Sequence, residues 1–171
     1  EAGVFPKGCL RLLCAPAQAN YLPEKNACIG MIHALAERFD WIFIEMDGLQ
    51  PQQLEIYAAV ADRAVLVSAA DRDSARAARL VSDMLVARGI EDIRLCVNKL
   101  PRDFAKRRPV PDLDWMIDQV CAQLICVLPY DRLLEAPDFS KVDVSLSKLT
   151  KKVFDNFAQR IMGYYIDLLV Q

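Results

Sequence analysis

The chain has 171 residues, the size of one ordinary domain, and 54% of them are hydrophobic, which is enough to bury a core. The net charge of −2 and the isoelectric point near 5.5 argue against a nucleic-acid-binding protein, because such proteins carry a basic excess on one face. The dense basic run Lys106-Arg107-Arg108 is better explained as a solvated loop than as a phosphate or membrane contact, since three charges are too few to anchor a protein alone.

Strand-like and helix-like patterns alternate along the chain. In chain order, the patterns predict a strand at 10–14, a helix at 24–39, a strand at 41–46, a helix at 53–61, a strand at 64–68, a helix at 74–88, a strand at 93–98, a helix at 113–120, a strand at 124–128 and a helix at about 149–169. The strands are almost continuously apolar, which is typical of parallel strands covered on both faces. We therefore predict a single α/β domain over 1–171, with a doubly wound, mostly parallel sheet and helices on both faces.

The last predicted helix is amphipathic behind a basic start, and this pattern has two interpretations. Packing against the sheet is favoured over a membrane-surface or partner-binding face, although basic amphipathic helices serve both purposes. Gly163 weakens the interior of a helix by up to roughly 1 kcal/mol, so it is expected to mark a kink or a close contact.

The cysteines and the histidine point to a reducing compartment and not to a metal centre. The six cysteines include no C-x-x-C pair, and His33 is the single histidine, so structural zinc is not expected. Cys96 and Cys126 lie in apolar strand-like runs, where free thiols behave as small hydrophobes, which predicts a cytoplasmic protein. His33 is expected to be an ordinary helix residue. The chain also shows neither a run of about 20 apolar residues nor the pattern of a signal peptide, so we expect a soluble protein.

The run from Asp40 to Gly48 passes directly from apolar residues into acids and a glycine. Ligands of open α/β sheets bind at the carboxyl ends of parallel strands, where an acid can hold Mg²⁺ or a water beside a phosphate. Glu45 and Asp47 are therefore the first candidates for chemistry. Neither G-x-x-x-x-G-K-[ST] nor G-x-G-x-x-G occurs in the 171 residues.

Four segments in register resemble the MinD/ParA family of deviant Walker ATPases, in its MinD-like branch. They are the strand 39–45 ending in an acid, the strand 61–67 followed by the helix start 74–78, the strand 95–99 ending in Asn98-Lys99, and the stretch 117–131 ending in Pro129-Tyr130-Asp131. Each segment alone is a weak signal, but their order and spacing agree over most of the chain.

The resemblance implies a P-loop NTPase-like three-layer fold with ATP and Mg²⁺ as cofactors. It places Asn98 against the adenine and Pro129, Tyr130 and Asp131 in a turn beside the base. It makes Glu45 and Asp47 the catalytic pair near the γ-phosphate, with Glu45 as the metal ligand. From the residues alone, Asn98 is equally well explained as a turn residue at the end of a strand.

The resemblance also implies partners and a location. Members of the family form nucleotide-dependent homodimers and act with a regulatory protein or at a membrane surface, so a cytoplasmic protein that can be peripheral at the membrane is expected, without nucleic acid.

Two departures from the family pattern leave two functions open. The matched part is the family's C-terminal portion, so the phosphate loop that does most of the nucleotide binding is missing and the chain alone is expected to hold ATP weakly. Glu45 occupies the position of an aspartate in the family, and its longer side chain misplaces the carboxylate. Leu49 occupies the position of a glycine and lacks the backbone freedom of glycine. The two functions are an ATP-dependent positioning switch and a non-hydrolysing adaptor that keeps the fold.

Overall fold

The computed structural model describes residues 4–7, 10–13, 24–46, 51–101, 103–107, 111–135 and 146–170. Its strands are β1 (Val4–Lys7), β2 (Leu10–Leu13), β3 (Ala64–Ala69), β4 (Ile93–Leu100) and β5 (Gln123–Pro129). Its helices are α1 (Lys25–Ala36), α2 (Pro51–Ala58), α3 (Arg72–Val86), α4 (Phe104–Arg107), α5 (Leu113–Val120) and α6 (Lys148–Ile161), with a 3₁₀ turn at Arg132–Leu134.

The chain divides into two compact units, residues 1–60 with 139–143 and residues 61–138 with 144–171. In the first, β1 and β2 pair as antiparallel strands and α1 contacts α2, with Lys25 Nζ 2.7 Å from Glu55 Oε1. His33 is an exposed residue of α1, as expected for an ordinary helix histidine. The division into two compact units does not decide whether residues 1–171 form one domain, so the single domain stays a prediction.

The second unit contains a parallel sheet in the order β3-β4-β5. The β3–β4 ladder runs in register from Ala64 opposite Ile93 to Ala69 opposite Asn98. The central strand β4 is the best covered, with Leu95 and Val97 completely buried. Because neighbouring parallel strands are joined through helices, the predicted doubly wound α/β class is confirmed.

The helix α3 begins at a strong capping residue that the periodicity did not locate. The carboxylate of Asp71 accepts hydrogen bonds from the backbone N–H groups of Asp73 (3.0 Å) and Ser74 (2.8 Å), and these bonds lower the pKa of Asp71. An acid at this position satisfies the otherwise unpaired donors of the first turn. The helix therefore starts at Arg72 and not at Ser74.

The helix α6 is shorter than predicted. It ends at Ile161, and Gly163 follows with φ +93°. The N–H of Tyr164 bonds to the carbonyl of Gln159 at 3.0 Å. A Cβ at Gly163 would meet nothing within 4 Å, so this glycine provides a left-handed helix stop instead of a kink or a close contact.

The preferred interpretation of α6 as a packing element is confirmed. Its Val153 and Ile161 lie in one buried cluster with Cys96, Ile125 and Cys126 of the sheet. Within the described residues no helix is long and apolar enough to cross a bilayer.

The predicted strand at 41–46 is wrong for the described structure, in which these residues form no strand. Their exposure alternates, with Trp41 (52%) and Phe43 (76%) exposed and Ile42, Ile44 and Met46 half-buried. Trp41 and Phe43 stack at 6.3 Å between ring centroids. A strand requires a ladder partner as well as an apolar sequence, and the described strands pair elsewhere.

A strained residue ends α5 and leads to a stability prediction. Cys121 has φ +54° and ψ +43°, the left-handed region that costs a residue with a Cβ about 1 kcal/mol relative to glycine. We expect Cys121→Gly to raise the free energy of unfolding by about 0.5–1 kcal/mol in urea titration. Cys121→Ala is the matched control, because both variants lose the contact from Arg79 Nη1 to the sulfur (2.7 Å). If the two variants were equally stable, backbone strain at this position would be disproved.

Candidate functional site

The carboxyl ends of β4 and β5 form a polar rim that we call the carboxyl edge: Asn98, Lys99, Pro129, Tyr130 and Asp131. The ladder pairs Val97 with Val127 and Leu100 with Pro129, so Asn98 and Lys99 together oppose the single residue Leu128. This is a β-bulge, and bulges re-aim side chains and are over-represented beside active sites. The N–H of Tyr130 bonds to the carbonyl of Leu100 at 2.8 Å, which keeps the two strand ends together.

Asn98 and Lys99 owe their conformation to the bulge. The Oδ1 atom of Asn98 accepts a hydrogen bond from the N–H of Lys99 at 2.8 Å, and Lys99 adopts φ +57°. Asn98 is half-buried, and the side chain of Lys99 is exposed. Among the described residues, the side chain of Asn98 forms its hydrogen bond through the oxygen. Both N–H groups of its side-chain amide therefore remain available to a ligand.

Pro129 and Tyr130 provide flat apolar surface at the same edge. Tyr130 is 39% exposed, and its hydroxyl bonds to the carboxylate of Glu135, which raises the pKa of Tyr130. Pro129 lines a shallow crevice with Leu100, Pro101 and Leu149. A nucleobase needs a stacking surface and a few directed donors, and this half of the edge offers both kinds of group.

Asp131 points away from this surface and is 6% exposed. Its Oδ2 atom accepts from Thr150 Oγ1 (2.6 Å) and from the N–H of Ser147 (2.9 Å), and its Oδ1 atom accepts from the N–H of Leu133 (3.1 Å). The hydrogen bond from Thr150, followed by those from the backbone, holds the pKa of Asp131 well below its usual range. The carboxylate therefore fastens the start of α6 to the end of β5.

Of the two acids predicted to act on phosphate, Glu45 is the one that the described residues include. Glu45 is exposed and follows the irregular segment at 41–44 in the first unit, and Asp47 lies outside the described residues. The described part of the chain contains no cluster of three His, Cys, Asp or Glu side chains that could hold a metal. A magnesium site at Glu45 thus stays a prediction, as does its catalytic role with Asp47.

The residues at the edge fit the base of a nucleotide better than its phosphates. Of the four predicted base-side residues, Asn98, Pro129 and Tyr130 present groups to the surface, whereas the carboxylate of Asp131 is already bonded inside the protein. The sequence analysis included Lys99 in the strand end Asn98-Lys99 but missed its left-handed backbone, which depends on the bulge. It also missed Ser147 and Thr150, although Ser147 bears the signature of a helix N-cap, a serine just before an amphipathic run.

No protein-family model and no curated protein sequence matches the chain. Among solved structures, it is similar to a MinD cell division protein of Aquifex aeolicus, with a TM-score of 0.65 and 18% identity over 86% of this chain and 64% of that one. The chain has a MinD-like fold. A MinC:MinD cell division protein complex of the same organism gives a TM-score of 0.71 and 20% identity over 86% of this chain and 62% of that one. The chain thus spans less than two thirds of the length of either neighbour, and at this identity the similarity concerns the fold alone.

Proposed function

We propose that this chain is the carboxyl-terminal core of a MinD-like, ATP-dependent positioning switch with a role in cell division. The observation that carries the proposal is the bulged carboxyl edge, where Asn98, Lys99, Pro129 and Tyr130 offer amide donors and flat apolar surface at the ends of parallel strands. In open α/β sheets this is the place where ligands bind. A MinD-like fold supports adenine as the base.

On this proposal ATP and Mg²⁺ belong to the whole protein, and this chain supplies the base side. Asn98 would donate to the adenine, and Pro129 with Tyr130 would cover its face, while Asp131 holds the turn in place. Glu45 and Asp47 would sense the γ-phosphate and Mg²⁺, which supplies charge neutralisation when it is bound. The partners proposed are a second copy held by nucleotide and a regulatory protein or a membrane surface, for a cytoplasmic protein that is peripheral at the membrane.

A non-hydrolysing adaptor with the same fold is the second candidate. It is favoured by Glu45, which is exposed in a segment that forms no strand, and by the carboxylate of Asp131, which is committed to internal hydrogen bonds. An adaptor needs neither a metal site nor an adenine site, so the two candidates differ in their nucleotide binding.

Titration of the ¹⁵N-labelled chain with adenosine separates the two candidates. For the switch, we expect the amide signals of Lys99, Leu100 and Tyr130 to shift with half-saturation on the order of 1 mM, about −4 kcal/mol, since the contacts are few. Uridine is the control ligand. Asn98→Ala is the control variant, expected to weaken adenosine binding severalfold. No saturable Mg-ATP binding is expected at micromolar concentration, because the sequence contains neither G-x-x-x-x-G-K-[ST] nor G-x-G-x-x-G, the loops whose backbone N–H groups bind phosphates.

Two results would count against the proposed function. If the amide signals of the carboxyl edge do not shift with adenosine up to its solubility limit, the adaptor is favoured. Equal chemical-shift changes with uridine would disprove recognition of adenine. The translated frame upstream of Glu1 gives an independent check, since the switch requires a glycine- and lysine-rich phosphate loop there.

A further inference from the structure

Two cysteine side chains stand opposite each other across the β4–β5 ladder. Cys96 and Cys126 are register partners, each is 2% exposed, and both are free thiols. Neighbouring strands lie about 5 Å apart, and this spacing falls inside the range of about 4.4–6.8 Å between Cα atoms that a disulfide accepts. The register of the two strands thus gives the pair a Cα spacing that is compatible with a disulfide.

A second β-bulge creates this pairing. The ladder joins Leu95 to Leu124 and then Cys96 to Cys126, so Ile125 is the extra residue on β5. In a regular ladder Ile125 would face Cys96. Because of the bulge, both sulfurs lie in the same buried cluster under α6, together with Val153 and Ile161.

A narrow crevice leads to Cys126 of the pair from the side of α6. Cys126, Asn156, Phe157 and Arg160 are among the residues that line it, and its volume admits about one water-sized molecule. This size excludes a bulky oxidant such as a peptide disulfide, which leaves small oxidants such as hydrogen peroxide.

Arg160 provides an independent sign that the crevice can receive a polar oxygen. Its Nη2 atom donates to the carbonyl of Leu124 at 3.2 Å and its Nη1 atom donates to the carbonyl of Ile166. Its buried Nε–H has no hydrogen-bond partner within the described part of the chain, although buried donors are nearly always paired. A guanidinium donor beside a sulfur stabilises an anion that forms there.

The geometry and the orphaned donor lead to one inference. We propose that Cys96 and Cys126 are a dithiol site that hydrogen peroxide converts into an intramolecular disulfide. Cytoplasmic disulfides of this kind are transient and redox-sensing. The site is independent of the nucleotide edge, and its failure would leave the proposed function untouched.

The two sulfurs have different roles in the reaction. The sulfur that ionises first attacks one peroxide oxygen: an S–O bond forms, the O–O bond breaks, and the leaving hydroxide takes up the proton that this sulfur lost, which gives water. The second sulfur then attacks the first, the S–S bond forms, and the S–O oxygen leaves as a second water with the proton of the second thiol.

The test exposes the whole folded, reduced chain to hydrogen peroxide and then alkylates the remaining thiols after denaturation. We expect the intact mass to fall by two hydrogen atoms before alkylation and two of the six cysteines to resist iodoacetamide. Trypsin should release the fragment 95–99, which contains Cys96, linked to the fragment that contains Cys126. Dithiothreitol should separate the two fragments.

Matched variants remove the ambiguity caused by Cys121, which is exposed and shares the tryptic fragment of Cys126. Cys121→Ser should keep the linked fragment, and Cys126→Ala should lose it. Cys28, also a buried free thiol, should stay fully alkylatable. The proposal is overturned if Cys96 and Cys126 remain alkylatable, if Cys96 stops at sulfinic acid, or if the link involves Cys121. The fragments of Cys121→Ser decide these outcomes even if Cys126→Ala fails to fold.

Discussion

Replacing Leu95 by alanine is expected to lower the free energy of unfolding by about 3–5 kcal/mol. Leu95 is completely buried in the central strand β4, and both neighbouring strands pair with it, through Leu66 on β3 and Leu124 on β5. A site held by two ladders relaxes little, so the substitution loses the transfer free energy of the side chain and also leaves a cavity.

Urea unfolding followed by tryptophan fluorescence measures this effect. The chain has two tryptophans, and Trp41→Phe leaves Trp115 as the single reporter. Trp115 lies on α5, with the guanidinium of Arg72 at 5.8 Å from its ring centroid, so it reports on the unit that contains the sheet. Leu80→Ala is the matched control. Leu80 is 66% exposed on α3, and its loss should change stability by no more than about 0.5 kcal/mol. Equal effects of the two substitutions would contradict the burial of β4.

The second large effect is expected at Thr150, which joins α6 to the turn after β5. Thr150 is fully buried, and its hydroxyl donates to Asp131 Oδ2 at 2.6 Å. Thr150→Val keeps the shape but removes the donor, and we expect a loss of about 1.5–3 kcal/mol, the range for hydrogen bonds to charged groups. Thr150→Ser keeps the hydroxyl and removes a methyl group, so it should cost only about 1 kcal/mol.

The effect of Thr150→Val should depend on pH in one direction. Because the pKa of Asp131 is lowered in the folded chain, its contribution to stability is complete above about pH 5, begins to fall at the ordinary aspartate pKa of about 3.9 and is lost as the pH falls further through the lowered folded pKa. The difference between the unmutated chain and Thr150→Val should therefore stay constant from pH 7 to about pH 5 and shrink below about pH 4. A difference that stays constant down to about pH 2 would show that the carboxylate does not act as the charged acceptor of this bond.

Prediction from the sequence succeeded for features that depend on residues close together in the chain. The periodicity of α3, with Ala75, Ala78 and Leu85 buried, and the apolar runs of β4 and β5 were sufficient to predict the elements and the parallel sheet. These features depend on side-chain spacing within ten or so residues, which a single sequence displays directly.

Prediction failed where the outcome depends on pairing between distant segments. Residues 41–46 have the composition of a buried strand but form none in the described structure, because composition does not supply a ladder partner. For the same reason, the sequence did not predict that the carboxylate of Asp131 points into the protein. Its partners Ser147 and Thr150 lie 16 and 19 residues away, and only the docking of α6 brings them to the carboxylate.

The fold class and the periodic helices and apolar strands of the parallel sheet can thus be derived from local patterns in this chain, whereas the candidate base-side residues depend on the resemblance to the MinD/ParA family. Tertiary structure alone decides the register of β4 against β5. The two bulges in this register place Asn98 and Lys99 at the edge and Cys126 opposite Cys96. A shift of one residue in a strand exchanges the faces to which the side chains point, and the free energy that selects the register comes from packing across the whole sheet.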